Sequence, residues 1–199
     1  MAPTPSPRTA YDAIVVGGSS GAVEALAALL PALPRSLRAT VLVVLHLPRD
    51  RPSLLTDIYR QRCALPLREA QDKDALEPGT VYFAPPDYHL LVDAGPRLSL
   101  SVDEPVHFSR PSIDVLFESA ADLWGPRMVG ILLSGANEDG AAGMAAVHAA
   151  GGLTLVQSPA SAAMPTMPVA ALARSPADHA LPPGEMAQLL VQLHHQNLL

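Results

Sequence analysis

The sequence predicts a three-layer α/β/α fold, a mostly parallel, doubly wound sheet with helices on both faces, plus an antiparallel hairpin. Two observations carry this. Short apolar runs of strand length alternate with Ala/Leu-rich helical segments, the pattern of parallel strands buried on both faces. One stretch in the middle breaks the alternation, where two strand-like runs flank the turn sequence Asp93-Ala94-Gly95-Pro96.

In chain order, Ala13 to Val16 is an apolar run ending in Gly17-Gly18 and reads as a buried strand. Ala22 to Leu30 follows as an Ala/Leu helix stopped by Pro31. Thr40 to Leu45 is a second, β-branched strand, and Pro52 marks a helix expected to run to about Arg62. Thr80 to Ala84 is strand-like until Pro85-Pro86 breaks it, and the hairpin strands are His89 to Val92 and Arg97 to Val102. Ser112-Ile113-Asp114 opens a helix expected to reach Trp124, ahead of Gly125-Pro126. Arg127 to Leu133 is another strand, followed by a small-residue helix to Ala150 that Gly151-Gly152 ends. Leu153 to Val156 returns as a strand. Helices around Pro168 to Ala173 and from Glu185 to His195 complete the chain.

The 199 residues, 49% of them hydrophobic, suffice for one sizeable core. The reading is a single domain over residues 11–195, between a flexible N-terminal tail, 1–10, and a C-terminal tail, 196–199. Aromatics make up only 4%, so Ala, Val and Leu must build that core. The net charge of −6, with no cluster of Lys and Arg, argues against a nucleic-acid partner. The single cysteine, Cys63, excludes an internal disulfide and a Cys-rich zinc site, and fits a reducing compartment. No apolar run reaches the length of a membrane span. The expectation is a soluble, cytoplasmic protein, and nothing in the sequence calls for a metal or an organic cofactor.

Ligands of such sheets meet the carboxyl ends of the strands. The polar residues following the apolar runs are therefore the candidates. After the first strand comes Gly17-Gly18-Ser19-Ser20-Gly21, which fits G-x-S-x-G between a strand and a helix, the context of a sharp nucleophile turn. The dinucleotide fingerprint does not register, because Ser19 and Ala22 stand where its later glycines belong. A phosphate-binding turn of another kind remains open. After the second strand comes His46, an imidazole suited to take a serine proton and return it. The third segment, Ser134-Gly135-Ala136-Asn137-Glu138-Asp139-Gly140, offers Asp139 to orient that imidazole, with Glu138 as the competing carboxylate. The bland alternatives are a locally hydrogen-bonded His46 and an Asp139 that caps the helix beginning at Gly140. His89, His107, His148 and His179 are scattered without metal-ligand spacing, and His194-His195 lies near an end expected to fray.

Together the three segments resemble one family, the chemotaxis protein-glutamate methylesterases, or CheB catalytic domain. Val16-Gly17-Gly18-Ser19-Ser20-Gly21 resembles its nucleophile turn, Leu45-His46-Leu47-Pro48 its histidine motif, and the run Ser134 to Met144 its TGMGxDGAxGM segment. Gly79 to Pro86, His89-Leu90 and Ser109 to Phe117 add supporting matches, and the similarity spans roughly Ala13 to Leu190. The resemblance implies Ser19 as nucleophile, His46 as base and Asp139 as its partner, with Ser20 and Ala136 at the oxyanion and substrate-binding position. It implies removal of methyl from glutamate γ-methyl esters on methyl-accepting chemotaxis receptors, and a related glutamine deamidation. The order Ser, His, Asp separates the chain from ordinary α/β-hydrolases, which run Ser, Asp, His.

Three residues depart from the family pattern. Ala136 replaces its usual Met, Asn137 the following Gly, and Ala22 the second glycine of the nucleophile turn. The family's usual receiver domain has no counterpart in the sequence, which reads as a stand-alone catalytic domain. Two competing readings follow: an esterase for another protein or small-molecule substrate, and a catalytically weak module that only binds receptors.

Overall fold

The computed structural model describes residues 10–48 and 52–199. Seven strands, β1 (Ala13–Gly18), β2 (Thr40–Leu45), β3 (Leu67–Glu69), β4 (Val81–Phe83), β7 (Met128–Leu132), β8 (Leu153–Gln157) and β9 (His179–Leu181), form one sheet in the order β3-β4-β2-β1-β7-β8-β9. Every pairing in it is parallel. The hairpin, β5 (His89–Asp93) with β6 (Arg97–Ser101), is a separate antiparallel sheet.

Strand pleating explains the three layers. Along β1, Ile14 and Val16 face one way and Ala13 and Val15 the other; along β2, Val41, Val43 and Leu45 oppose Leu42 and Val44. The first set packs under α1 (Ala22–Leu29), α2 (Leu55–Tyr59) and α6 (Pro183–His195). The second packs under α3 (Ile113–Trp124), α4 (Ala141–Ala149), α5 (Thr166–Arg174) and the hairpin. With both faces covered, β1 and β2 are buried along their whole length, which is why they read as unbroken apolar runs.

Several elements differ from the sequence reading. β3 and β9 were not expected. They are three-residue edge strands, Leu-Arg-Glu and His-Ala-Leu, whose largely exposed side chains leave no apolar run. α2 is one short turn-and-a-half, Leu55–Tyr59, well inside the expected span from Pro52 to Arg62. Buried Tyr59 fixes it, donating its hydroxyl to Val23 O at 2.7 Å and stacking on Phe83. The expected C-terminal tail, 196–199, is instead folded down: Leu198 and Leu199 are buried in the core, and Tyr11 N–H donates to Leu198 O. Two terminal leucines gain more from burial than the chain loses by ordering them. The same contact keeps His194 from fraying, since its ring bonds Ser36 Oγ and Leu199 O. Of the expected N-terminal tail, only Ala10 lies within the described residues.

α3 and α4 cap one another. Asp114, in the first turn of α3, accepts from the amides of Gly140 (2.9 Å) and Gly143 (2.6 Å) at the start of α4. Asp139, just before α4, accepts from the amides of Ile113 (2.7 Å) and Asp114 (3.0 Å) at the start of α3. Helix starts carry unpaired N–H groups and partial positive charge, so each carboxylate meets a favourable field. Asp114→Ala strips the acceptor from two buried amides and is expected to cost about 1–3 kcal/mol. A urea titration checks this; a midpoint equal to that of the unaltered protein would show that the reciprocal cap contributes nothing.

Candidate active site

Strand order reverses at the boundary between β1 and β7: the chain adds β2, β4 and β3 on one side of β1, then β7, β8 and β9 on the other. A crevice at the carboxyl ends is expected there. The three sequence-predicted segments all converge on it.

Ser19 follows β1 directly, and its backbone is bracketed from both sides. Its N–H donates to Ser134 O at 2.9 Å, while on the other flank His46 N–H donates to Gly18 O at 3.1 Å. The turn depends on Gly21, at φ +80°, where an added Cβ would fall 2.6 Å from Ala163 Cβ and 2.9 Å from Ser134 Oγ. Ser134 is fully buried and acts as a brace that sequence reasoning passed over. Its hydroxyl donates to Ser20 O at 2.7 Å and accepts from Met164 N–H at 2.9 Å, and its own N–H donates to Gln157 Oε1 at 2.8 Å. The nucleophile turn, the β7 end and the segment after β8 are thereby tied together. The backbone N–H groups of Ser20 and Ala136 donate to no backbone carbonyl among the described residues.

The structure brings His46 and Asp139 into contact. His46 Nε2 lies 2.7 Å from Asp139 Oδ2. Asp139 is completely buried, and each of its oxygens has two donors. Oδ1 accepts from the Ser112 hydroxyl and the Asp114 amide, and Oδ2 from the Ile113 amide and His46. Burial pushes this carboxyl up, but the His46 hydrogen bond and the Asp114 and Ile113 amides outweigh it, holding the group below its ordinary range. An ionised Asp139 can only accept, so the hydrogen sits on Nε2 and the neutral ring keeps its lone pair on Nδ1. The capping expectation for Asp139 thus needs a correction. Asp139 does cap a helix, but it is the neighbouring α3 rather than the helix that follows it. Glu138, the competing carboxylate, is exposed and faces His107 at 3.6 Å instead.

Ser112 and Asp114 belong to the site's scaffold and were read only as a helix start. Burial pushes Asp114 up; the Gly143 amide opposes this and the nearby Asp139 charge adds to it. His89, scattered in the sequence, is buried structure: its Nδ1 accepts from Ser112 N–H and its Nε2 faces Glu104 O. Cys63 is packed against the core, and burial pushes its thiol up, away from nucleophile chemistry.

What the arrangement can do is bounded. A serine on a strand-to-helix turn, an oriented imidazole with a basic Nδ1, and a buried carboxylate that stays ionised are the parts of acyl transfer. Among the described residues no group of three or more His, Cys, Asp or Glu side chains is arranged to hold a metal ion. Among the described residues no helix is long and apolar enough to cross a membrane.

Comparison with known proteins agrees. The family model for CheB methylesterase matches residues 14–190. A Leptospira interrogans protein, provisionally named protein-glutamate methylesterase/protein-glutamine glutaminase, is 38% identical over 188 residues, which cover 94% of this chain and 97% of that one. The Symbiobacterium thermophilum protein-glutamate methylesterase/protein-glutamine glutaminase is 37% identical over 179 residues, 90% of this chain but 49% of its own length. The crystal structure of the Thermotoga maritima CheB methylesterase catalytic domain superposes with a TM-score of 0.88 at 27% identity, covering 93% of this chain and 100% of that one. With the family model matched over residues 14–190 and a 38% identical relative covered along nearly its whole length, this chain belongs to the CheB methylesterase family.

Proposed function

We propose that the protein hydrolyses glutamate γ-methyl esters on methyl-accepting chemotaxis receptors, releasing methanol, and deamidates receptor glutamines by the same route. The observation that carries the reading is the 2.7 Å contact between His46 and a buried, ionised Asp139 beside the Ser19 turn. Ser19 Oγ attacks the ester carbonyl and its proton passes to His46 Nδ1, the nitrogen that Asp139 leaves basic. Asp139 offsets the imidazolium charge without taking the proton. The amides of Ser20 and Ala136 receive the developing oxyanion; replacing a methionine by Ala136 leaves that N–H in place. His46 then returns its proton to the departing methoxide. Water, activated by the same nitrogen, hydrolyses the acyl-enzyme to free glutamate and Ser19. For a glutamine side chain the leaving group is ammonia.

The rim of the crevice supports a protein substrate. Leu54, Tyr88, Val102, Phe108 and Met164 are exposed large apolar side chains, and each lies on a segment that leaves the carboxyl edge of the sheet or returns to it. Such a rim fits the side of a helix better than a small soluble ester. On this reading the reaction takes place in the cytoplasm, where the methylated part of such a receptor lies; the acidic composition is compatible with it.

Two experiments test this. With receptor carrying labelled methyl esters, Ser19→Ala and His46→Ala are expected to lose about 10³-fold or more in methanol release, and Asp139→Asn a comparable or smaller amount. Methanol release unchanged in Ser19→Ala would sink the mechanism. A fluorophosphonate probe should modify Ser19 far faster than any surface serine, and methylated receptor should be turned over in preference to generic small esters. Labelling no faster than background would leave a binding module in place of an enzyme, and equal turnover of small esters would remove the receptor as the defining substrate.

A further inference from the structure

One serine outside the triad touches the catalytic imidazole. Ser109 Oγ lies 3.4 Å from His46 Nδ1, the ring nitrogen opposite the one held by Asp139. Ser109 belongs to a strap, residues 102–110, that joins the hairpin to the start of α3 and is pinned at several points. Arg110 donates to Asp87 Oδ1 and to the carbonyls of Val102 and Asp103. Buried His89 holds Glu104 O at 3.1 Å. Val106 and Ser109 exchange both backbone hydrogen bonds across a turn whose two central residues, His107 and Phe108, have φ of +47° and +60°. That left-handed pair costs energy in residues other than glycine, so the surrounding contacts must hold it. The outcome is that Ser109 has a fixed place beside Nδ1.

The hydroxyl is also engaged on its other side. Asn137 Nδ2 donates to Ser109 Oγ at 3.5 Å, and Asn137 Oδ1 accepts from the amide of Asp139 at 3.3 Å. A closed circuit results: Asp139 amide to Asn137, Asn137 to Ser109, Ser109 to His46, His46 to the Asp139 carboxylate. Ser109 has a second acceptor for its single proton, His107 O at 3.3 Å. By rotating about its Cβ–Oγ bond alone, the hydroxyl can donate to the Nδ1 lone pair of the neutral ring or turn its proton to His107 O and accept from Nδ1–H of the imidazolium.

We propose that Ser109 is a positioning residue for His46, holding the imidazole plane in both protonation states while Asn137 orients the Ser109 hydroxyl. Ser109 first turns its proton to His107 O, which frees the Nδ1 lone pair; when Ser19 then gives its proton to Nδ1, the ring carries hydrogens on both nitrogens and a positive charge. Asp139 then accepts from Nε2–H, and Ser109 accepts from Nδ1–H until the proton leaves with methoxide. No atom is gained or lost by Ser109 over the cycle; its proton only changes acceptor. Asn137, a departure from the family's glycine, thereby gains a role that a glycine cannot fill.

This rests on the triad reading, and the test separates the two. In the full-length chain, Ser109→Ala is expected to lower kcat about five- to tenfold with KM within twofold, the scale of one hydrogen bond. Ser109→Thr, which keeps the hydroxyl, should restore most of the loss. The ¹⁵N resonance of His46 Nδ1 should move in Ser109→Ala and return in Ser109→Thr. An unchanged kcat in Ser109→Ala, or a Thr variant as impaired as the Ala variant, would overturn the proposal while an inactive Ser19→Ala keeps the triad standing. Full activity in Ser19→Ala would bring down both.

Discussion

The Asp139 carboxylate is the point on which the rest of the site hangs. It accepts two amides and a hydroxyl from the start of α3 and an imidazole from the end of β2. A buried carboxylate with no partners would be neutral, and a neutral Asp139 could neither fix the ring's hydrogen on Nε2 nor offset its charge. Charge-assisted hydrogen bonds of this kind are worth about 1.5–3 kcal/mol each, enough together to keep the group ionised in the core. The helix start is therefore part of what holds the proposed triad, though α3 contributes no side chain to it.

The reciprocal arrangement gives the site its rigidity. Asp114 ties α4 to α3 while Asp139 ties α3 to α4, so the segment carrying Asp139 cannot shift without breaking both caps. The helices pack closely because Gly143 lies against Phe117; a Cβ there would come within 2.5 Å of Phe117 Cβ. The two buried carboxylates respond in opposite directions. Asp139 is held down by its donors and Asp114 is pushed up by burial, with the Asp139 charge adding to that rise.

Much of this was legible from residues alone, and the reason is physical. Strands covered on both faces must be apolar throughout, so β1, β2, β7 and β8 announce themselves, and in a parallel sheet the residue after each strand is delivered to the same edge. Ser19 and His46 are such residues, and Asp139 stands at the far end of the loop that leaves β7. What stayed hidden arrives by other routes. β3 and β9 are exposed edges with no burial signal. Ser112 and Asp114 reach Asp139 from a helix start, where Ser-Ile-Asp reads as an ordinary cap. Ser134 looks like a turn residue until its hydroxyl is seen bridging Ser20 and Met164. Leu198 and Leu199 looked like a tail because four residues carry no periodicity, yet two leucines beside an open core edge are enough to fold them in.

The departures from the family pattern take on a different weight in this light. In the proposed mechanism Ala136 differs from the family's Met in its side chain only, while the N–H offered to the oxyanion belongs to the backbone. Asn137 is in no position to replace a triad member, but its carboxamide spans from the Asp139 amide to Ser109, so the loop that presents the carboxylate is linked to the strap that covers the imidazole. His46 is consequently held from two sides, by a charged partner on Nε2 and a hydroxyl on Nδ1. Three further donors fix the carboxylate on the Nε2 side, so in the proposed mechanism Nδ1 is the nitrogen that serves Ser19. If Ser19 is the nucleophile as proposed, the direction of its proton transfer is set by the same helix caps that tie α3 to α4.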